Sequence, residues 1–283
     1  MRKYMSLFLW SILLPVTIFG QGLELINPER SSFEEDEKSF YAETKQVNQF
    51  IRRFNAEEDV RGVRLSYTDT MYHNPHLRVS FLNMLFDNQN TGISEIIKSA
   101  FINDVTQAGN PKFIQFLGGD WFGESFVKFD RRQRVVFITL FMELVKENLG
   151  SKWVIDDIYY QPYENLYSRD SESGSRFLHP LSHELDFMNL DRVFNSEDKA
   201  GDYFYQGFSP DKLSIFLYEL HNNILQFKYV SGVKFHFFQI DGWYFEITEF
   251  NRPGLNRGWL ISNLIKLEDG QKQKLIDFIY HRD

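Results

Sequence analysis

Glu143 and Glu249 are the first residues to question for chemistry. Each stands in a β-patterned run, Glu143 among Phe141, Met142 and Leu144, Glu249 between Thr248 and Phe250. A carboxylate desolvated in such company is raised in pKa and can serve as a general base. The plainer alternative, an outward solvated glutamate or a cross-strand partner for Lys or Arg, is the commoner role of this residue type. Asp156, Asp157, Tyr159 and Tyr160 bring two acids and two phenols to the end of a later run. His236 lies in an otherwise apolar strand and reads as a hydrogen-bonded core histidine before it reads as an acid–base group. Trp243, Tyr244, Trp259 and Phe238 could line an apolar pocket, although aromatics on a sheet are usually core.

Other chemistry has weaker support. His179 and His183 are spaced i, i+4 with Glu184 beside them, but Pro180 between them places His179 at or before a helix cap. The H-E-x-x-H order is missing, so capping is preferred to metal ligation. His73 and His76 flank Asn74-Pro75 in a loop and read the same way. No G-x-S-x-G elbow, phosphate-cradling glycine loop or dinucleotide fingerprint occurs, and the chain has no cysteine, so no metal or cofactor is expected.

The start of the chain bears on where such residues would work. Met1-Arg2-Lys3 is positive, Tyr4 to Phe19 is an almost wholly apolar stretch of sixteen residues broken by Pro15, and Gly20 is small. A spanning helix needs roughly 20 apolar residues, so the segment reads as a signal peptide, 1–21, cut near position 20 to 22. The expected location is periplasmic or secreted, with no membrane span after cleavage. The whole chain carries 31 basic and 39 acidic residues, 31 − 39 = −8, and losing Arg2 and Lys3 leaves 29 − 39 = −10. That acidic balance, without a basic stripe, excludes nucleic acid and electrostatic docking on anionic lipid. Aromatic content of 17% points to dense apolar layers that can fold without disulfides.

Comparing the chain with itself organises the rest. At a constant shift of 106, Val127-Lys128-Phe129 meets Val233-Lys234-Phe235, Gln133 meets Gln239, Glu143 meets Glu249, and Trp153-Val154-Ile155 meets Trp259-Leu260-Ile261. Upstream, Arg52 to Glu58 matches Arg192 to Asp198 in the pattern R-x-F-N-x-E-[ED] at a shift of 140. The shifts differ by 140 − 106 = 34, so one unit, helix motif then sheet motif, is duplicated with about 34 extra residues in the first copy.

The periods assign the elements. In copy one, Ser32 and Glu35 form a capping box, Val47, Phe50, Ile51 and Phe54 share a helix face, Asn74-Pro75 opens a second helix, and Ile93 to Phe101 continues in a third. Strands follow from Trp121, with Arg134 to Val145 and Lys152 to Tyr160 forming a meander. Copy two repeats the plan with a helix over Leu181–Phe194 and a second one capped by Ser209-Pro210-Asp211. Its strands are Val233–Ile240, Trp243–Phe250 and Gly258–Leu267, the first two joined at Asp241-Gly242, and a final helix covers Gln271–Tyr280. Val233 to Phe238 is apolar on both faces, so the second sheet should be covered on both sides, by helices and by the other domain or another chain. The polar, aperiodic stretch 163–176 reads as a linker between a first roll, 31–162, and a second, 177–283.

Helices followed by a curved antiparallel sheet resemble the nuclear-transport-factor-2-like cone, or cystatin-like α+β roll. More narrowly, Lys234-Phe235-His236-Phe237-Phe238, Asp241-Gly242-Trp243-Tyr244-Phe245 and Gly258-Trp259-Leu260-Ile261 resemble exported bacterial proteins of unknown function with this roll. The resemblance implies an α+β fold of two tandem cone-like rolls. It also implies a mouth between helices and sheet, lined from Glu143, Asp156, Asp157, Tyr160, His236, Trp243, Glu249 and Trp259. The isomerases of that superfamily pair an acid with a tyrosine, but no motif assigns either role here, so no catalytic residue is carried over. The expected function is a non-enzymatic binding or interaction module of the cell envelope, for a small hydrophobic ligand or an envelope protein, with a homodimer as one arrangement. The alternative is an isomerase- or hydratase-like enzyme with one working cone, in the first domain.

Overall fold

Local rules account for the helices. Helix α1 (Val47–Asn55) buries Phe50, Ile51 and Phe54, the face its period marks. At the start of α2 (Pro75–Met84) the Asn74 side chain accepts from the His76 and Leu77 N–H groups, with proline in the first turn. Ser94 caps α3 (Glu95–Val105) in the same way through Ile97. These facts come from a computed structural model that describes residues 46–147, 150–165 and 211–282. The signal segment, the Ser32–Glu35 box, the His179–His183 pair, the Leu181–Phe194 helix and the second R-x-F-N block lie outside the described residues. So does all but the start of the 163–176 linker.

Three strands follow: β1 (Trp121–Arg131), β2 (Arg134–Glu147) and β3 (Gly150–Tyr159), then a short α4 (Gln161–Asn165). After α5 (Lys212–His221), capped by Asp211 through Leu213, come β4 (Leu225–Phe237), β5 (Trp243–Phe250), β6 (Gly258–Lys266) and a final helix α6 (Gln271–Ile279). The β1–β2 turn places both Arg132 and Gln133 at positive φ, the backbone of a two-residue hairpin loop that usually selects Asn-Gly. Asp241-Gly242 does lie in a turn, but β5 pairs with β4 only over Lys234–Phe237, so that connection is wider.

The fold is α+β, with one open, six-stranded antiparallel sheet in the order β3-β2-β1-β4-β5-β6. Two separate cones are therefore not what the strands build. The two meanders join edge to edge through their first strands, which pair antiparallel along their whole length. Phe126 and Gly232, the residues just before the matched blocks and at the same shift (232 − 126 = 106), sit directly opposite each other, so the central strands are related by an approximate twofold axis. β4 starts well before Val233 because the bulged residues Lys228 and Ser231 break the two-residue alternation that marks a strand.

The helices are exchanged between the two halves. The larger core sets Phe50 and Phe54 of α1, Leu82 of α2 and Phe101 of α3 against Phe237, Phe245, Ile247, Trp259 and Ile261, all from the second meander. The smaller core sets Phe216 of α5, which precedes the second meander, against Val127, Phe129, Ile138, Leu140 and Ile158 of the first. Both cores lie on one sheet face, here called the helical face, since Trp121, Val127 and Phe129 alternate to the same side of β1. Backbone bonds reinforce the exchange: the Ile261 N–H donates to the Leu85 carbonyl (2.7 Å), and the Asp87 N–H donates to Ile261 (3.1 Å). The Arg252 Nη2 also reaches Asp87 at 2.5 Å. Each unit thus covers its neighbour's strands, which tandem rolls would not do.

The opposite, outer face is covered at one end by α6. Phe122, Phe141, Phe238, Tyr244 and Tyr280 are buried there together. The two-sided burial expected for Val233–Phe238 is met at its end, with Phe237 inside the helical-face core and His236 and Phe238 buried on the outer face, while Val233, Lys234 and Phe235 are half-buried. The cover on both sides comes from this chain.

Glu219 of α5 fastens the smaller core. It accepts from Arg131 Nε (2.8 Å) and from the buried Tyr163 hydroxyl (2.9 Å), with a second, very short contact from the Arg131 guanidinium. Tyr163, at the start of the expected linker, is therefore part of the core. Burial alone would raise the Glu219 carboxyl, but the bonds from Arg131 and Tyr163 outweigh it and hold the group below 4.5. A depressed carboxylate contributes stability that is present above its unfolded pKa and lost as pH falls through its folded one. Thermal scans between pH 7 and pH 3 should show Glu219→Gln less stable than the parent at neutral pH, with the gap closing in acid. A constant gap would remove this role.

Candidate functional site

The eight residues marked for a pocket divide between the two faces. Trp243 and Trp259 are buried in the helical-face core, where Trp243 Nε1–H donates to Asp104 Oδ2 at 2.7 Å and Trp259 meets Phe235 edge-on. Tyr160 packs against the smaller core, edge-on to Tyr163. Glu143 and Glu249 are exposed. Met142 pairs with Gly123 on the helical face, which turns Glu143 outward; Thr248 pairs with Lys234 on the outer face, which turns Glu249 to the helical side. Their matched positions in the repeat are therefore not equivalent in the fold, because β5 is offset against β4 by an odd number of residues relative to β2 against β1.

Asp156 is the bulged, exposed residue where the β2–β3 register shifts, and Asp157 accepts from Arg282 at 2.9 Å. Glu143 is raised above 4.5 by partial burial first and by Asp156 second, with Arg282 opposing. These three acids form a rim beside Tyr280.

His236 is the one marked residue that organises a polar site. It is 2% exposed on the outer face of β4. Nδ1 lies 2.9 Å from the Tyr244 hydroxyl and Nε2 lies 3.1 Å from Glu124 Oε2. The arrangement in which no donor faces a donor has the Tyr244 O–H donating to Nδ1 and Nε2–H donating to the carboxylate. Burial, with Glu246 and Glu124 adding to it, pushes the Tyr244 phenol far above its usual range, so it stays a donor. Beside this triad Lys234 Nζ pairs with Glu246 Oε2 (3.2 Å), and Ser262 donates to Glu246 Oε1 (2.8 Å). Phe122 stacks on the imidazole at 4.9 Å. Sequence reading missed Glu124, which is 112 residues from His236; its one signal was a glutamate in the otherwise apolar start of β1.

Elsewhere, a pocket of about 120 Å³ opens between the start of α2 and the end of α3, lined by His73, Pro75, Arg78, Thr106, Gly109 and Pro111. None of the marked residues reaches it. Arg78 forms its wall while spending its guanidinium on the carbonyls of Phe54 (2.9 Å), Val105 (2.8 Å) and Lys112. Among the described residues no group of three or more His, Asp or Glu is placed to hold a metal, and no helix is long and apolar enough to cross a membrane.

No protein-family model, curated protein or solved structure matches the chain.

Proposed function

We propose that this chain is an exported binding or interaction module of the cell envelope, non-enzymatic, that holds a small hydrophobic ligand or an envelope protein. One observation carries the reading. On the outer face beyond α6, Val135 and Phe137 of β2 and Tyr229 of β4 stand 58%, 60% and 50% exposed on either side of the central strand β1. An antiparallel sheet with one solvated face normally puts polar side chains there, and grouped apolar exposure marks a contact surface. His236, Glu124 and Tyr244 bond one another, and Glu246 is held by Ser262 and Lys234, so these groups brace the sheet behind that surface.

The duplicated unit, helices and then three antiparallel strands, supports reading each half as a nuclear-transport-factor-2-like roll whose helices have been traded with its neighbour. The apolar leader supports export. The test is to purify the full chain from the envelope fraction of its own cells and determine by mass spectrometry both its first residue and what stays bound. The expected first residue is one of 21 to 23, with one ligand or protein retained in stoichiometric amount. A Phe137→Ser, Tyr229→Ser variant of unchanged thermal stability should lose that companion. A chain that keeps Met1, or that comes away with nothing bound, removes the reading.

A further inference from the structure

Much of β4 has a neighbour on one side only. The strand runs Leu225–Phe237, yet β5 pairs with it just over Lys234–Phe237. Among the described residues no strand pairs Leu225–Val233 on that side, although β1 runs along the other. Every residue from Gln226 to Ser231 is exposed. A stretch of open edge, with its row of backbone donors and acceptors, therefore lies within the strand order of a six-stranded sheet.

Sheets blunt such edges with charge, proline or bulges. This one has two bulged residues, Lys228 and Ser231, and a single charge, the Lys228 ammonium, which lies 3.9 Å from Asp130 Oδ2. Its exposed side chains are apolar on both faces. Phe227 (59% exposed) and Val230 (47%) sit opposite Phe129 and Val127 on the helical face, and Tyr229 stands on the outer face. A strand with one solvated face alternates apolar with polar. One that is apolar on both faces and open at its edge marks a place where another strand adds.

We propose that Leu225–Val233 is a dimer edge, on which the same segment of a second copy pairs antiparallel about a twofold axis at Tyr229. Fit selects that occupant. The open stretch is nine residues long, and β4 itself supplies those nine before its pairing with β5 begins. In this register Leu225 meets Val233, Phe227 meets Ser231, Lys228 meets Val230 and Tyr229 meets its own mate. No like charges are opposed, and an aromatic pair forms at the centre. The arrangement uses one surface twice, the commonest symmetry of homo-oligomers. Six residues about half exposed offer on the order of 500 Å² per copy, so a pair reaches the roughly 1,000 Å² that a specific interface needs. The edge is separate from Val135 and Phe137, so this inference and the proposed function can fail independently.

Sedimentation equilibrium of the purified protein across micromolar concentrations should show a monomer–dimer equilibrium. Hydrogen exchange in peptides covering 225–233 should slow as the concentration rises. Phe227→Lys, which sets a charge on the edge, should weaken the dimer by about tenfold or more. Phe137→Ser should leave it unchanged. Should Phe227→Lys prove unfolded by circular dichroism, Gln226→Lys, at an exposed polar position, makes the same comparison. A protein monomeric throughout overturns the proposal. So does a dimer that survives the lysine or is lost with Phe137→Ser, since the contact would then lie on another face. Protection of 225–233 in a monomer also overturns it, making the occupant a different bound strand or another part of this chain.

Discussion

Polypeptides spanning 22–176 and 177–283 are each expected to fail to fold alone, and to regain a cooperative transition when mixed. The reason is the exchange of helices across the sheet. Phe50, Phe54 and Phe101 are completely buried, and Phe245 is stacked on Phe54 at 5.8 Å and edge-on to Phe101 at the same distance. Cutting between the halves puts the two sides of that core on different molecules. Fully burying one such side chain is worth about 1.5–3 kcal/mol, while a whole domain is stable by only about 5–15 kcal/mol. Losing three or four aromatic contacts therefore removes the net stability of either half. The cut also bares β1 and β4, central strands whose paired backbone would face water. Near-ultraviolet circular dichroism reads tertiary packing directly. Flat spectra for the separate halves and a native-like spectrum for the mixture are the expected result. A cooperative thermal transition from either half alone would mean that each unit is self-sufficient, as tandem rolls would be.

Arg78→Ala is expected to cost about 3–5 kcal/mol in urea unfolding, among the largest losses for any single side chain here. Arg78 is 1% exposed, and its described polar partners are three main-chain carbonyls, with Phe113 stacked at 4.3 Å and Phe54 at 5.4 Å. Burial pushes its guanidinium down to about 10, still charged at neutral pH. Two of the carbonyls, of Phe54 and Val105, end α1 and α3, and each helix C-terminus carries about half a negative charge. Two such ends compensate one cation without any carboxylate. That is why a buried arginine at the wall of a pocket is structural here and does not mark an anion site. Arg78→Lys should lose more than half of the same amount, because a single ammonium cannot reach three acceptors in fixed directions. Asn74→Ala, which removes only a helix cap, should cost about 1 kcal/mol. Equal losses for Arg78→Lys and Asn74→Ala would show that the fork geometry is not what matters.

Much of the molecule was legible locally. The apolar face of α1, the caps at Asn74 and Asp211, the meander after Trp121 and the burial of His236–Phe238 on both faces follow from period, capping chemistry and residue type, which act over a few residues. The β1–β2 turn was hidden, since Arg132-Gln133 carries none of the residues that prefer positive φ. So was the true standing of Glu143 and Glu249. An odd offset between strands, which no local pattern reports, reverses which side of the sheet a residue faces.

The sequence by itself determined the acidic balance, the absence of thiol chemistry, the aromatic density, the internal match at a shift of 106 and most of the described helices and strands. Tertiary structure alone decided what those elements meet. A helix period marks an apolar face but does not say which half of a sheet will cover it, and the two meanders offer that face similar surfaces. Pairing β1 with β4 placed each unit's helices over the other's strands. The same pairing joined Glu124 to His236 across 112 residues and Arg131 near Glu219 across 88. Such contacts are set by closure of the whole sheet, which is why Glu143, Asp156 and Asp157 became a rim around the chain's own Tyr280 and Arg282.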